Sequence, residues 1–553
     1  MAITMLPYLL GYWLQGANPR FGWYTWLGYN FDDSCVYLSW MRQAADGNFF
    51  QRNLFTTEPQ SGQQFNVFFL VLGNIARFTH LPLIAVWHFA RIALGVALLR
   101  AVWWLIELLG NDDRARKAAF LLVCFSSGLG WIPGLWAETG FEAPVDVWQP
   151  EAITFLTLYL NPLFNVSLLL MVGMLGWLLV AEQTKSIWPA IRAGFCGFLL
   201  GNIHTYDVIT VTIVWGTYLL IRSLRTRKPN IGSWARAVVA GLPTAVTTGY
   251  VAFQLKTETV FAQRAAVETQ SPPILQYALG FGLLLVLSLV GLIAAWRAGR
   301  TIPENTGQPT DDLLFLAVWA AANLAVAYLP VPFQRKMIMG EHLPLAILGG
   351  IGVASLLKSI THWNWEYSCA LAGVVLVTSL TNIRFIVREA TNVTIDLTQS
   401  LQRPFIYAGE RRAMDWIRVN APPNVPIQPL PWIAKQTETK YGFYDTTLAA
   451  LAPGLTDHAV NAGHWGETPD FARTMAGWIG FQLPSANDDS RKALLRETGV
   501  RYLIFSHKRT DSLDPGAGAA VLVPFGPVLP DYLRRIPEAS NSDADVFEVL
   551  DTG

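Results

Sequence analysis

Apolar runs about twenty residues long recur along this chain, and they limit its possible folds more than any other feature. A helix needs roughly 20 such residues to cross the ~30 Å hydrocarbon core of a bilayer. Runs that meet or approach this length lie at 83–109, 118–137, 163–181, 237–254, 274–296, 313–331, 343–358 and 367–387. The stretch 188–222 is also apolar, but Asn202, His204, Tyr206 and Asp207 interrupt it. It reads as two short spans meeting at a polar tip. The apolar stretch 3–14 would reach only about 18 Å as a helix. It lacks the basic lead of a signal peptide and reads as the stump of a first span. The sum is an all-α polytopic membrane bundle of about eleven transmembrane helices.

Composition narrows the class further. Hydrophobic residues make up 52% of the chain and charged residues 14%, against about 25% charged in ordinary soluble domains. Forty basic residues balance forty acidic ones, so the basic excess of a nucleic-acid binder is missing. Cys35, Cys124, Cys196 and Cys369 are dispersed, with no zinc spacing. No Walker loop or dinucleotide fingerprint is present. The expectation is a protein without nucleic-acid partners, resident cofactor or built metal site, with a divalent metal left open.

Lys and Arg placement gives an orientation, since short cytoplasmic loops collect them. One set of alternate loops and flanks holds Arg100, Arg114, Arg116, Lys117, Lys185, Arg192, Arg222, Arg225, Arg227, Lys228, Arg236, Arg297, Arg300 and Lys358. The opposite set holds Lys256, Arg264, Arg335 and Lys336. The first set is expected to be cytoplasmic, provided that 64–79 lies in the interface. The first loop 15–63 and the chain after 387 then face outward from a cytoplasmic (inner) membrane. The 138–162 loop, with Glu138, Glu142, Asp146 and Glu151 and no base, fits that side. It reads most simply as a solvated acidic loop, and Glu151 as the cap of the following apolar run.

Beyond the transmembrane part, 1–387, and a linker at 388–401, residues 402–553 lack spanning runs. GERRAMDWIRVNAP reads as an amphipathic helix with Ala413, Met414, Trp416 and Ile417 on one face. RKALLRETG then VRYLIFSH reads as a helix, a glycine stop and a buried strand, and DVFEVL as another strand. This is a C-terminal soluble α/β domain.

The first loop carries the most chemical information. In GYNFDDSCVYLSWMRQAADGNFF, Asp32 and Asp33 precede a helical run that stops at Gly47. Asp33 and Tyr37 share a face if the helix starts there. Asp33 or Ser34 is equally a natural N-cap. A carboxylate at the mouth of a membrane bundle could also act as a general base. This segment resembles the first external loop of the GT-C superfamily of membrane glycosyltransferases, which includes protein O-mannosyltransferases and aminoarabinose transferases. Asp33, Tyr37, Gly47 and Phe49 carry the resemblance, and WQPEAITF, GNIHTYD, PFQRKMIMGEHLPLAIL and GHWGET extend it along the chain. The resemblance implies a polyprenyl-phosphate-linked sugar donor, an acceptor that is a glycan, lipid or protein, and membrane lipids as surroundings. It implies that Asp33, or else its neighbour Asp32, is the catalytic carboxylate. One departure stands out. Several relatives have a Lys-Pro-Pro segment about 30 residues after the aspartate, whereas this chain reads SGQQFNVFF.

The donor phosphate therefore needs another cation. Arg335 and Lys336 break the positive-inside trend, and Arg52 sits on the first loop. An Arg fork and a Lys point charge suit a phosphate, although basic residues near helix ends also simply snorkel to headgroups. Glu341 and His342 could complete that cluster. His204, Asp207 and Glu151 are further candidates for substrate contact, while His204 and Asp207 could equally pair with each other. The expected function is glycosyl transfer at the outer membrane face. A transporter or lipid flippase would also use polar groups at a broken helix pair, but no internal repeat is visible. A ligase or polymerase using a lipid-diphosphate donor would look much the same.

Overall fold

The computed structural model describes residues 1–18, 21–110, 112–132, 143–299, 309–359, 363–395, 404–437, 440–483, 486–507 and 529–550. Among the described residues, six helices are long and apolar enough to cross a membrane: Leu83–Leu108, Pro162–Thr184, Tyr206–Thr226, Ile231–Thr257, Ile274–Ala298 and Gln334–Lys358. Asn364–Thr378 and Leu380–Thr394 qualify together as a pair bent by 55°. The protein is thus a multi-pass membrane protein. The expected single span at 367–387 contains that bend. The interrupted stretch breaks where its polar residues stand, between Trp188–Ile203 and Tyr206–Thr226. Within the expected run 118–137 the helix Asp113–Phe125 ends at an extended Ser126, and residues 133–137 lie outside the described residues. Val67–Thr79 is a short apolar helix of 13 residues.

The chain forms two compact units. The first contains Met1–Thr4, Trp87–Phe253 and Val267–Arg388. Here the helices approach closely through small residues, as packing between membrane helices favours. A Cβ on Gly291 would overlap the Leu348 carbonyl, and one on Gly352 would overlap that of Leu287. These two glycines let Ile274–Gly299 and His342–Lys358 touch backbone to backbone.

The second unit contains Met5–Val86, Gln254–Ala266 and Glu389–Gly553, so the first loop and the C-terminal segment fold together. Trp23–Tyr24 pairs antiparallel with Phe405–Ile406. The helix Phe31–Ala45 packs on Val67–Thr79 and on Thr447–Thr456. A four-stranded sheet orders Ile427–Pro429, Tyr502–Ser506, Ala544–Val549 and Leu533–Arg535. The first pair is parallel and the others are antiparallel. Leu503, Phe547, Trp478, Met475 and Phe481 fill one core against it. The anticipated helix, glycine stop and strand are Asp488–Thr498, Gly499 at φ +65° and Tyr502–Ser506. The amphipathic helix is Ala408–Asn420, which buries Ala413, Met414 and Ile417 and leaves Trp416 half-buried.

Candidate active site

In the second unit, neither Asp33 nor Ser34 caps the helix. The cap is Asn30, whose left-handed backbone (φ 58°) is one that Asn tolerates. Asp32 and Asp33 therefore sit inside the first turn of Phe31–Ala45, where the helix dipole favours carboxylates. The Asn30 side-chain amide donates to Asp33 Oδ2 at 2.7 Å. His464 Nε2 lies 3.4 Å from Asp33 Oδ1. The Asp33 side chain remains 37% exposed. Asp32 has a different environment. Burial raises its pKa, His464 opposes the rise, and Asp33 and Asp445 add to it. The two adjacent carboxylates thus stand in different surroundings.

The histidine is held on every side. Its side chain is 2% exposed. Nδ1 accepts the backbone N–H groups of Gly466 (3.0 Å) and Glu467 (3.1 Å). Thr468 Oγ1 accepts those of Gly463 and His464, then donates to the Phe55 carbonyl at 2.8 Å. Burial works against an imidazolium, but the Asp33 contact and the charges of Glu467 and Asp32 outweigh it and raise the pKa. The two N–H donors nevertheless require the Nδ1 lone pair. The ring form that fits is neutral, with its proton on Nε2 facing Asp33. Glu467 itself is clamped by Arg264 Nε at 2.6 Å. The Arg264 guanidinium lies 4.9 Å from the centre of the Trp40 ring, on the same helix as Asp33. Cys35, behind the carboxylates, is fully buried, and burial followed by Asp32 and Asp33 pushes its thiol pKa up.

Tyr37 follows Asp33 by one turn and stacks on Phe69 at 5.1 Å. Arg52 is exposed, and its backbone exchanges hydrogen bonds of 2.8 and 3.0 Å with the Gln43 side chain.

The remaining candidates lie in the first unit. Arg335 and Lys336 occupy the short 3-10 turn Gln334–Ile338. The Arg335 guanidinium lies 5.4 Å from the Trp148 ring centre, and the Lys336 ammonium 4.9 Å from that of Tyr206. The Arg335 carbonyl accepts Gln149 Nε2 at 2.9 Å. Glu151 caps nothing, since Ile153 is the N-cap residue of Thr154–Leu160. Burial raises the Glu151 pKa, and the charges of Arg335, Lys336 and His204 act against that rise. His204 Nδ1 contacts Asp207 Oδ2 at 2.9 Å, and Ser167 donates to the same oxygen. That is the pairing the sequence offered as an alternative. His342 engages Ser126 at 3.0 Å through Nε2 and Thr154 at 2.9 Å through Nδ1, so both ring nitrogens are occupied. Glu341 is buried beside it in the chain.

The solvated reading of the acidic loop fails at Asp146 and Glu151, both buried. Asp146 Oδ2 accepts the N–H groups of Gly128 (2.9 Å) and Gly130 (3.2 Å), and burial lifts its pKa to about 6. Glu138 and Glu142 lie outside the described residues. Among the described residues, no group of three or more His, Cys, Asp or Glu could hold a metal ion. The sequence reading did not single out His464, Glu467 or Arg264 as site residues. GHWGET, which holds His464 and Glu467, enters the sequence pattern only through the resemblance, and Arg264 only as one of the bases of the opposite set of loops.

This helical bundle with its small sheet shares its fold with solved oligosaccharyltransferase and ArnT structures. One solved structure that it resembles is the oligosaccharyltransferase of Archaeoglobus fulgidus in the apo form, with TM-score 0.53 and 12% identity over 91% of this chain and 69% of that one. The same enzyme, AglB, in complex with an inhibitory peptide and a dolichol-phosphate matches equally, with TM-score 0.53. ArnT of Cupriavidus metallidurans bound to undecaprenyl phosphate matches with TM-score 0.51 and 14% identity over 99% of this chain and 96% of that one. At these identities the likeness is one of fold. No family model matches the sequence. No curated protein matches it either.

Proposed function

We propose that the protein transfers a sugar from a polyprenyl-phosphate donor to an acceptor at the outer face of the cytoplasmic membrane. Asp33 is the general base. One observation carries the reading: Asp33 is a half-exposed carboxylate at a helix start, with a donor group facing each oxygen. A carboxylate so placed favours its ionised form and still presents lone pairs to an incoming hydroxyl or amine. The lipid phosphates named with the structural neighbours AglB and ArnT support the donor class.

In this mechanism the acceptor attacks the anomeric carbon as its proton passes to Asp33. The bond from that carbon to the phosphate oxygen breaks, and the polyprenyl phosphate leaves with the electron pair. Direct displacement inverts the anomeric configuration. Arg335 and Lys336, with Arg52 as the first-loop candidate, neutralise the charge growing on the leaving phosphate. Any divalent metal would serve the same charge, and no step requires one. The first loop and residues 402–553 face outward in this reading.

The test is lipid-linked product analysis in cells lacking the protein and in cells restored with wild type or Asp33→Asn. A labelled polyprenyl-phosphate sugar should accumulate without the protein and with the variant, and be consumed with wild type. Full consumption by a folded Asp33→Asn protein rejects Asp33 as the base. Unchanged lipid-linked sugars combined with altered transport would favour a flippase.

A further inference from the structure

We propose that His464 is a positioning residue for Asp33, a fixed hydrogen-bond donor that orients its carboxylate and keeps it ionised. The inference rests on Asp33 being the base and adds the part of the chain that prepares it. The observation is the loop 463–468, whose inner polar groups converge on one ring. Two backbone N–H groups occupy Nδ1, so the ring's proton is confined to Nε2, the nitrogen that faces Asp33 at 3.4 Å. That separation is slightly longer than an ordinary hydrogen bond, and catalytic hydrogen bonds commonly tighten once substrate is bound.

The arrangement also decides what His464 does not do. A ring that relayed the proton from Asp33 would have to become an imidazolium, and Nδ1 would then point its proton at two N–H groups. His464 keeps the proton it has, and Asp33 alone receives the acceptor's. The ring cannot drift, because Glu467, one of its N–H donors, is tied to Arg264, and Arg264 lies on Trp40 of the Asp33 helix.

Other titratable groups face this pair. Asp32 and Cys35 share the helix of Asp33, Glu467 and Arg264 flank the histidine, and Asp445 acts on Asp32. Of the helices that touch that element, Thr447–Thr456 carries no charge, Val67–Thr79 carries Arg77, which sits at Gly47 at the opposite end, and Thr259–Ala266 carries Arg264.

Two substitutions separate positioning from mere support of the loop. In His464→Asn a side-chain oxygen can still accept the loop N–H groups, but nothing reaches Asp33. In His464→Gln an amide N–H can still reach Asp33. The probe is carbodiimide coupling of glycine ethyl ester to Asp33 in the full-length, detergent-solubilised protein from pH 4 to 8. Protonated carboxyls react, and peptide mass spectrometry reads the extent. Loss of the donor should raise the half-labelling pH of Asp33 by about one unit in His464→Asn, as loss of a hydrogen bond to a carboxylate does. His464→Gln should stay near wild type. Equal shifts in both variants, or none in either, overturn the proposal. The labelling needs no substrate, so it is independent of the transfer test. If Asp33→Asn retains transfer, the base assignment fails whatever the labelling shows. If Asp33→Asn is dead and the labelling midpoints do not move, only the positioning role fails.

Discussion

The two polar clusters are built in opposite ways. In the first unit, cations sit among helices that bury most of their surroundings, and each lies over an aromatic ring, Arg335 on Trp148 and Lys336 on Tyr206. In the second unit, carboxylates stand at a helix start, and their donors come from the helix's own N-cap residue and from a loop distant in sequence. The difference follows from the surroundings. A charge among membrane helices is costly unless something nearby compensates it, and a ring face does so without adding opposite charge. In the proposed role Asp33 accepts a proton, which calls for solvent access together with fixed donors, and it has both.

The largest effect expected from breaking this contrast is at Asp33. Asp33→Asn should lower the rate of sugar transfer by about 10³-fold, the scale of a lost general base, with the lipid-linked donor still bound. Asp32→Asn should lose far less, and equal losses in a transfer assay would erase the distinction between the two acids. On the cationic side, removing Arg335 and Lys336 together should weaken the donor KM by about 10- to 100-fold, the value of one or two charge-assisted hydrogen bonds. Arg335→Lys should recover part of it. An unchanged KM in the double variant would leave these residues as interfacial anchors.

The next effect falls on stability. Arg264→Ala leaves the Glu467 carboxylate, 6% exposed, without that cation. Truncating one member of such a pair costs about 3 kcal/mol, to be read as a lower Tm in detergent. Glu467→Gln should lose less, because the amide removes the buried charge.

The smallest effect concerns pH. Burial and the nearby Asp46 raise the Asp457 pKa to about 7, against the pull of Arg418 and Arg42. An acid whose folded pKa exceeds its unfolded value stabilises the fold below the unfolded value and loses that contribution as pH rises toward 7. Asp457→Asn should therefore narrow the fall in Tm between pH 4 and pH 8. An unaltered slope would show that Asp457 titrates normally.

How much of this was readable in the sequence depends on range. Apolar runs marked most of the spanning helices, and the polar residues of GNIHTYD marked the break between Trp188–Ile203 and Tyr206–Thr226. The bend between Thr378 and Leu380 was invisible, because average hydropathy carries no information about backbone direction. The N-cap was misplaced by local preference. Asp is a favoured cap, yet Asn30 took the position through a left-handed backbone that sequence does not announce. Asp146 looked solvated because its loop is acidic, and two backbone N–H groups buried it instead.

Apolar runs and short patterns alone mark a chain that crosses a membrane several times, a C-terminal stretch of mixed helix and strand, and two adjacent acids on the first loop. These are properties of composition and of patterns a few residues long, and local physics is enough to fix them. The meeting of Asp33 with His464 across more than four hundred residues, and the bracing of its loop by Arg264, arise from the folded chain. Such contacts depend on how the chain closes on itself, and no periodicity along the sequence records that closure.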